Sequence, residues 1–306
     1  MVENARRTQA SSKVGNDKKD RRMSLLKRAG LFSNDTQGAR IFRAVTVEDL
    51  LGAYGLTHDV FVRQGYIHPD PTGVRLRAYE ALPQTATFVA ADGEDIVGVT
   101  SVVVDTPQLG LPTDHAFGAE VDSIRGPNRR ICEGTNWLVC DSHRNSAVLT
   151  ELMRCSFAHA VEAGCTDFLG TVSPGHAKFY ELLGFEILGS QRSYSEEIYD
   201  PVVLVRLDLT GLDARFLYVE AGFGDVESFL KHYYIEDNPY HRQVAAWQIQ
   251  SDRLFADRTL LSVLFVRESD LLPRCSAEEL DAIGQHWKQV PLCEVYQPGQ
   301  TSRLPS

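Results

Sequence analysis

Apolar side chains recur every three or four residues across 146–162, with Leu149, Leu152, Met153, Phe157, Ala160 and Val161 on one stripe. That period predicts an amphipathic helix packed on a core, and Gly164 follows as its stop. Two runs rich in β-formers, 85–91 and 96–105, flank the turn Asp92-Gly93-Glu94-Asp95 and predict a hairpin. Before it, 41–45 reads as a strand. Thr46 then caps a helix carrying Leu50, Leu51, Tyr54, Val60 and Phe61 toward Gln64, with Asp49 placed to complete the cap. A short helix over 74–81 follows the turn His68-Pro69-Asp70-Pro71, and 109–125 is an insertion with some helix. The chain then reads as strand 130–140, helix 146–162, strand 167–172, helix 176–183 closed by Gly184, and strands 185–189 and 202–209. This order predicts a mixed α/β sheet with one βαβ crossover near its middle.

Outside that unit the pattern changes. Residues 1–39 are polar, basic and aperiodic, and are expected to be a largely disordered tail. Within it, residues 23–32 read either as a solvated lead-in or as a short membrane-surface segment. Residues 211–306 are mainly helical, with helices predicted at 212–234, 239–255 and 277–288 and no catalytic motif. They form either a small second domain or a cap on residues 40–210.

Composition narrows the class. With 43% hydrophobic and 24% charged residues in 306, the chain is neither disordered throughout nor collagen-like. Its longest apolar runs, such as 260–266, are too short to span a bilayer. The net charge of −10 argues against a duplex-DNA binder, and no nucleic-acid partner is expected. The charge is uneven: the first 28 residues hold nine Lys/Arg against three Asp/Glu, so the body is strongly acidic. The six cysteines, Cys132, Cys140, Cys155, Cys165, Cys275 and Cys293, form no C-x-x-C pair and no zinc-type cluster, so no metal is expected. They read as free thiols, and the N-terminus lacks the apolar stretch of a secretory signal. The expected location is cytoplasmic.

Strand 130–140, helix 146–162, strand 167–172 and the run Ser173-Pro174-Gly175-His176-Ala177-Lys178-Phe179-Tyr180-Glu181-Leu182-Leu183-Gly184-Phe185 resemble the core of GNAT acyltransferases. Further features narrow the resemblance: Val60-Phe61-Val62-Arg63-Gln64-Gly65-Tyr66-Ile67, the 87–98 hairpin, Leu109-Gly110-Leu111-Pro112, Glu133 and His176. Together they look like the long-chain N-acyl amino acid synthases of the N-acyltyrosine-synthase type, themselves related to acyl-homoserine lactone synthases. The likeness covers roughly residues 40–210. It implies a GNAT fold and transfer of a fatty acyl group from acyl carrier protein to the amine of an amino acid. No permanently bound cofactor is implied; the donor is acyl-phosphopantetheine on the carrier, or acyl-CoA.

The residues bear on this chemistry individually. GNAT enzymes hold the CoA pyrophosphate with a glycine-rich turn before a helix. Here the turn is Asp141-Ser142-His143-Arg144-Asn145-Ser146, without glycine, which suits a carrier-protein donor better than CoA. His143, Arg144, Asn145 and Ser146 are the donor-binding candidates there. The backbone of Leu138, Val139 and Cys140 is a candidate to polarise the thioester carbonyl. His176 matches a family position in a strand-to-helix turn, whereas Ser173 stands where many relatives carry Asn. Glu133 is the candidate base. Strand alternation puts it on one face with Ile131, Thr135, Trp137 and Val139, where an acid has a raised pKa unless paired with a buried arginine. Tyr180 is the candidate acid, its need reduced because a thiol leaving group has a pKa near about 8.5. Arg125, Arg129 and Arg130 are the candidate carrier-protein patch. Rival readings are a short-chain or acetyl-CoA enzyme and a non-catalytic acyl- or carrier-binding module.

Overall fold

A computed structural model describes residues 24–26, 28, 33, 35–194, 200–210 and 232–298. The predicted helix over 212–234 lies mostly outside the described residues. Seven strands form one sheet in the order β1-β2-β3-β4-β5-β7-β6. They are β1 (Arg40–Arg43), β2 (Ala86–Asp92), β3 (Asp95–Val104), β4 (Ile131–Val139), β5 (Asp167–Val172), β6 (Glu186–Ser193) and β7 (Pro201–Asp208). Neighbours pair antiparallel except β4 and β5, which are parallel. The parallel pair is joined by α3 (Val148–Glu162), the predicted crossover. Among the other helices of the sheet region, α1 (Val47–Arg63) and α2 (Asp114–Ile124) precede α3, and α4 (Pro174–Leu182) follows it.

Each face of the sheet carries a core. Phe88, Val102, Cys132, Phe157 and Phe168 pack with α3 on one face. On the other, Val89, Val99 and Leu138 pack with Leu50, Ala53 and Tyr54 of α1. Farther along that second face, Val103, Ile131, Leu169 and Leu204 pack with Phe117 and Val121 of α2. The cap of α1 forms as expected: Thr46 Oγ1 accepts from the Asp49 amide at 3.1 Å. The Phe-Tyr-x-x-x-Gly-Phe run has a mechanical basis. Gly184 turns at φ +92°, and the Phe185 amide reaches back to the Tyr180 carbonyl at 3.0 Å, ending α4 and launching β6.

Three expectations change. Residues 74–77 are extended, with Val74 and Leu76 buried in alternation, and only Ala78–Ala81 makes a 3-10 turn. The Arg75 amide is drawn to the Tyr54 carbonyl and the Arg77 amide to the Glu80 carboxylate, so a helix cannot start earlier. The tail is not wholly solvated: Leu26 is fully buried in the α3-side core, and the Asp35 carbonyl accepts the Ala147 amide at 2.8 Å. Leu26 is therefore withdrawn from any membrane-surface role of residues 23–32; the rest of the tail to residue 23 lies outside the described residues. The third change, in β4, shapes the site.

The C-terminal helices cover the β1 edge from both sides. They are α5 (His241–Leu254), α6 (Arg258–Ser262), α7 (Leu271–Arg274), α8 (Ala277–His286) and α9 (Leu292–Val295), with a π-helical turn Val263–Glu268 between α6 and α7. Val244 and Trp247 of α5 join the α3-side core, while Leu261, Leu264, Phe265, Ile283 and Trp287 join the α1-side core. The buried Arg43 of β1 donates to Gln248 Oε1 at 2.8 Å and to Ser251 Oγ at 3.0 Å, tying α5 to the strand.

Candidate active site

β4 and β5 pair only over three residues, Ile131–Asp167, Cys132–Phe168 and Glu133–Leu169, and then part. β5 stays with β7 and β4 with β3. Where they part, β4 bulges. Thr135 faces Ser101 and Leu138 faces Val99, so three steps on β4 match two on β3. Asn136 makes the bulge, at φ +55°. Its short amide tolerates that conformation and is held on both ends: Nδ2 donates to Ser101 Oγ at 3.2 Å, and Oδ1 accepts from Arg75 Nη1 at 3.2 Å.

The bulge inverts the alternation. Ile131 and Glu133 share a face, as expected, and that face is toward α2, but Trp137 and Val139 pack on the opposite face with the α3-side core. The predicted single face from 131 to 139 therefore holds only up to Thr135.

A cavity of about 400 Å³ occupies the gap, within the range typical of small-molecule sites. Gly134, Thr135, Asn136 and Trp137 line it from β4 and Leu149 from α3. Thr171, Val172 and Ser173 line it from the β5 end, His176, Phe179 and Tyr180 from α4, and Pro201 and Val202 from β7. Phe61, Tyr66, Arg75, Tyr194 and Asp200 complete the wall. Gly134 is required by space: a Cβ there would lie 2.7 Å from the Phe168 ring and 2.8 Å from Trp137.

Glu133 lies just behind this wall. It is completely buried, and its Oε2 accepts the Thr113 amide at 2.9 Å at the start of α2. Oε1 has no hydrogen bond among the described residues. The expected alternative, an ion pair with a buried arginine, is not formed among the described residues. Arg77 is near enough to favour the carboxylate but bonds to Glu80 instead. Burial dominates and pushes the Glu133 carboxyl up to about 8, against the Thr113 hydrogen bond and the Arg77 charge, which pull it down.

Tyr180 does line the cavity. Its ring meets Phe179 and Phe185 edge-on at 5.7 and 5.4 Å, and burial raises the phenol to about 12. His176 also lines the cavity, exposed at its mouth, with Nδ1 2.9 Å from Ser173 Oγ.

The other candidates fall elsewhere. The Cys140 amide donates to the Val97 carbonyl at 2.8 Å, so it is not available to a carbonyl substrate, and Leu138 and Val139 are paired with β3. It is residues 134–137 that border the cavity. Burial also raises the Cys140 thiol above its ordinary range. His143 is buried against the hairpin, with Nδ1 2.9 Å from Ser142 Oγ and Nε2 3.6 Å from Asp92. Arg144 is exposed and pairs with Asp141 at 2.5 Å, and Asn145 is exposed. Ser146 lies just before α3, donating to the His143 carbonyl at 2.6 Å and accepting the Val148 amide. None of these four lines the cavity.

Two arginines of the candidate carrier-protein patch are paired within the protein. Arg125 is held by Asp105, Asp114 and Asp122, and Arg129 by Asp167 and Asp208, so their charges are spent inside the protein. With exposed Arg130, they stand at the N-terminal end of β4, roughly 25 Å of strand away from the 141–146 turn. Sequence reasoning missed Arg75, Asn136 and Tyr194. The signal for Asn136 was its type, since Asn is depleted inside strands and enriched at left-handed positions.

Comparison with known proteins accords with this architecture. The profile of the family described as N-acyl amino acid synthase FeeM matches residues 52–208. No curated protein sequence matches. The solved structure of FeeM, an N-acyl amino acid synthase from uncultured soil microbes, is 22% identical at a TM-score of 0.50, over 56% of this chain and 91% of that one. The CoA-dependent acyl-homoserine lactone synthase MesI is 18% identical at 0.44, over 64% of this chain and 95% of that one. A GNAT acetyltransferase from Streptococcus pneumoniae is 15% identical at 0.40, over 56% and 99%. With the profile spanning just over half of its length, the chain belongs to the N-acyl amino acid synthase FeeM family and is an acyltransferase.

Proposed function

We propose that the protein transfers a long-chain fatty acyl group from acyl carrier protein to the amine of an amino acid, by direct attack on the thioester. The observation that carries this reading is the cavity at the β4–β5 gap, apolar along Phe61, Trp137, Leu149 and Phe179 and polar at Arg75, Asn136 and Asp200. An acyl chain suits the first wall and an amino-acid acceptor the second.

In this reading the acceptor amine, once deprotonated, attacks the carbonyl carbon; the C–N bond forms and the C–S bond breaks. Glu133 takes up the proton the nitrogen sheds. With its carboxyl near 8, it is a better base than an ordinary glutamate and matches the amine more closely. Each pKa unit by which the amine exceeds the ambient pH costs about 1.4 kcal/mol, so a base supplies only a few kcal/mol; positioning supplies the larger share. The sulfur leaves as a thiolate almost unaided, and Tyr180 contributes mainly by shaping the cavity. The backbone of 134–137, past the end of the pairing with β5, is where donors to the carbonyl oxygen would be sought.

The donor turn favours the carrier protein over CoA. The Ala147 amide is taken by Asp35 and the Val148 amide by Ser146, so two N–H groups of the kind that hold a pyrophosphate are already bonded.

Untargeted mass spectrometry of lipid extracts from bacteria producing the chain, beside a Glu133→Gln control, tests the reaction. N-acyl amino acids in the first extract alone are expected. Their absence, with folded protein in hand, refutes the reading. Purified enzyme given acyl carrier protein or acyl-CoA then separates the donors.

A further inference from the structure

Glu133 has no direct access to the cavity: Gly134 and Thr135 border it, and Glu133 does not. A proton leaving an acceptor amine in the cavity therefore needs a carrier. The N-terminus of α2 brings one close. The Thr113 amide at its start holds Glu133, and His115, two residues on, packs edge-on against the Tyr194 ring at 4.7 Å. Arg192 fastens the same strand end to α2, donating to the Ala116 carbonyl at 2.9 Å and lying over the Phe117 ring at 4.6 Å. Tyr194 lines the cavity, and its hydroxyl has no hydrogen bond among the described residues. Nearby, Glu133 Oε1 and Thr113 Oγ1 are buried oxygens without a hydrogen-bond partner among the described residues. Unsatisfied oxygens at one helix start are the setting in which an internal water is held.

Resting on the acyl-transfer reading above, we propose that Tyr194 is a catalytic proton carrier between the acceptor amine and Glu133. As the C–N bond forms, the amine proton passes to the Tyr194 oxygen. The Tyr194 hydroxyl proton passes, directly or over one bound water, to the Glu133 carboxylate. The electron pair of the broken C–S bond leaves with sulfur, and the thiolate takes its proton from solvent. The charged groups that bear on Tyr194 are Glu133 and Glu80 on one side and Arg77 and Arg75 on the other. Tyr180, by contrast, is raised by burial alone, and is the less suitable carrier.

The test compares Tyr194→Phe, Glu133→Gln and the double variant in the full chain, assayed by product mass with the donor and acceptor that the wild type accepts. Tyr194→Phe is expected to lower kcat about 10²-fold with KM held within about twofold. The double variant is expected to be no slower than the worse single variant, because both residues serve one proton path. His115→Phe, which keeps the edge-on ring, should retain more activity than His115→Ala. Wild-type kcat in Tyr194→Phe, a change confined to KM, or additive losses in the double variant overturns the assignment while leaving acyl transfer intact. A wild type that makes no N-acyl product overturns the underlying reading and this one with it.

Discussion

Glu133→Gln should make the protein more stable as the pH rises. In the folded chain the carboxyl titrates near 8, against an ordinary value of 4.5. Between those values the folded state binds more protons than the unfolded state, so wild-type stability falls as pH rises through that window. The full difference of three to four units corresponds to about 5 kcal/mol, felt above about pH 8 and absent below about pH 4.5. Glutamine cannot ionise and escapes the loss. Its carbonyl keeps the Thr113 hydrogen bond, while its NH₂ sits where Oε1 has no partner; that costs about 1–3 kcal/mol at every pH. The stability difference between variant and wild type should therefore start at or below zero near pH 5 and climb by about 3–5 kcal/mol by pH 9. Urea unfolding of both proteins across that range measures it, with the other titrating groups cancelling in the difference. A difference that stays flat with pH refutes the claim that burial governs this carboxyl.

The remaining predictions concern activity and packing. If Glu133 is the base, kcat/KM should rise with pH through about 8, where the carboxyl loses its proton, and Glu133→Gln should flatten that limb. Tyr180→Phe should cost less turnover than Glu133→Gln under the same assay; the reverse ranking would move the key proton transfer to Tyr180. Gly134→Ala forces a methyl against Phe168 and Trp137 and should cost about 1–3 kcal/mol, read by thermal unfolding, together with lost activity. Leu26→Ala should destabilise the chain by about 2–5 kcal/mol, because that side chain is fully buried; a neutral result would return the tail to solvent.

The order of elements was legible because it rests on local rules. The stripe of α3, the Thr46 cap, the Asp92-Gly93 turn and the stops at Gly164 and Gly184 each act over a few residues. Tyr180 and His176 were legible at the cavity for a similar reason, since the turn around Gly184 fixes where α4 points. Other features depended on partners remote in sequence. Asn136 could be recognised as a bulge only through Ser101 and Arg75, 35 and 61 residues away. Arg125 and Arg129 looked like surface charge because Asp105, Asp114, Asp167 and Asp208 come to them only on folding. Val74 to Arg77 took the extended form because the Arg75 amide pairs with the Tyr54 carbonyl, about twenty residues away in sequence, and the Glu80 carboxylate caps the turn at Arg77. Leu26 reads as one leucine in a polar tail, and nothing local marks it for burial.

The bulge at Asn136 gives β4 something like a reading frame. Ahead of it, odd positions face α2; behind it, odd positions face α3, and the shift is one residue wide. A substitution at Thr135 or Trp137 alters one contact. A deletion at Asn136 would turn Trp137, Leu138 and Val139 over together, exchanging the contents of two cores and closing the gap to β5. Descendants of this fold can therefore vary the cavity residue by residue, but changes of length in this stretch are confined to those that carry a compensating residue within the same strand.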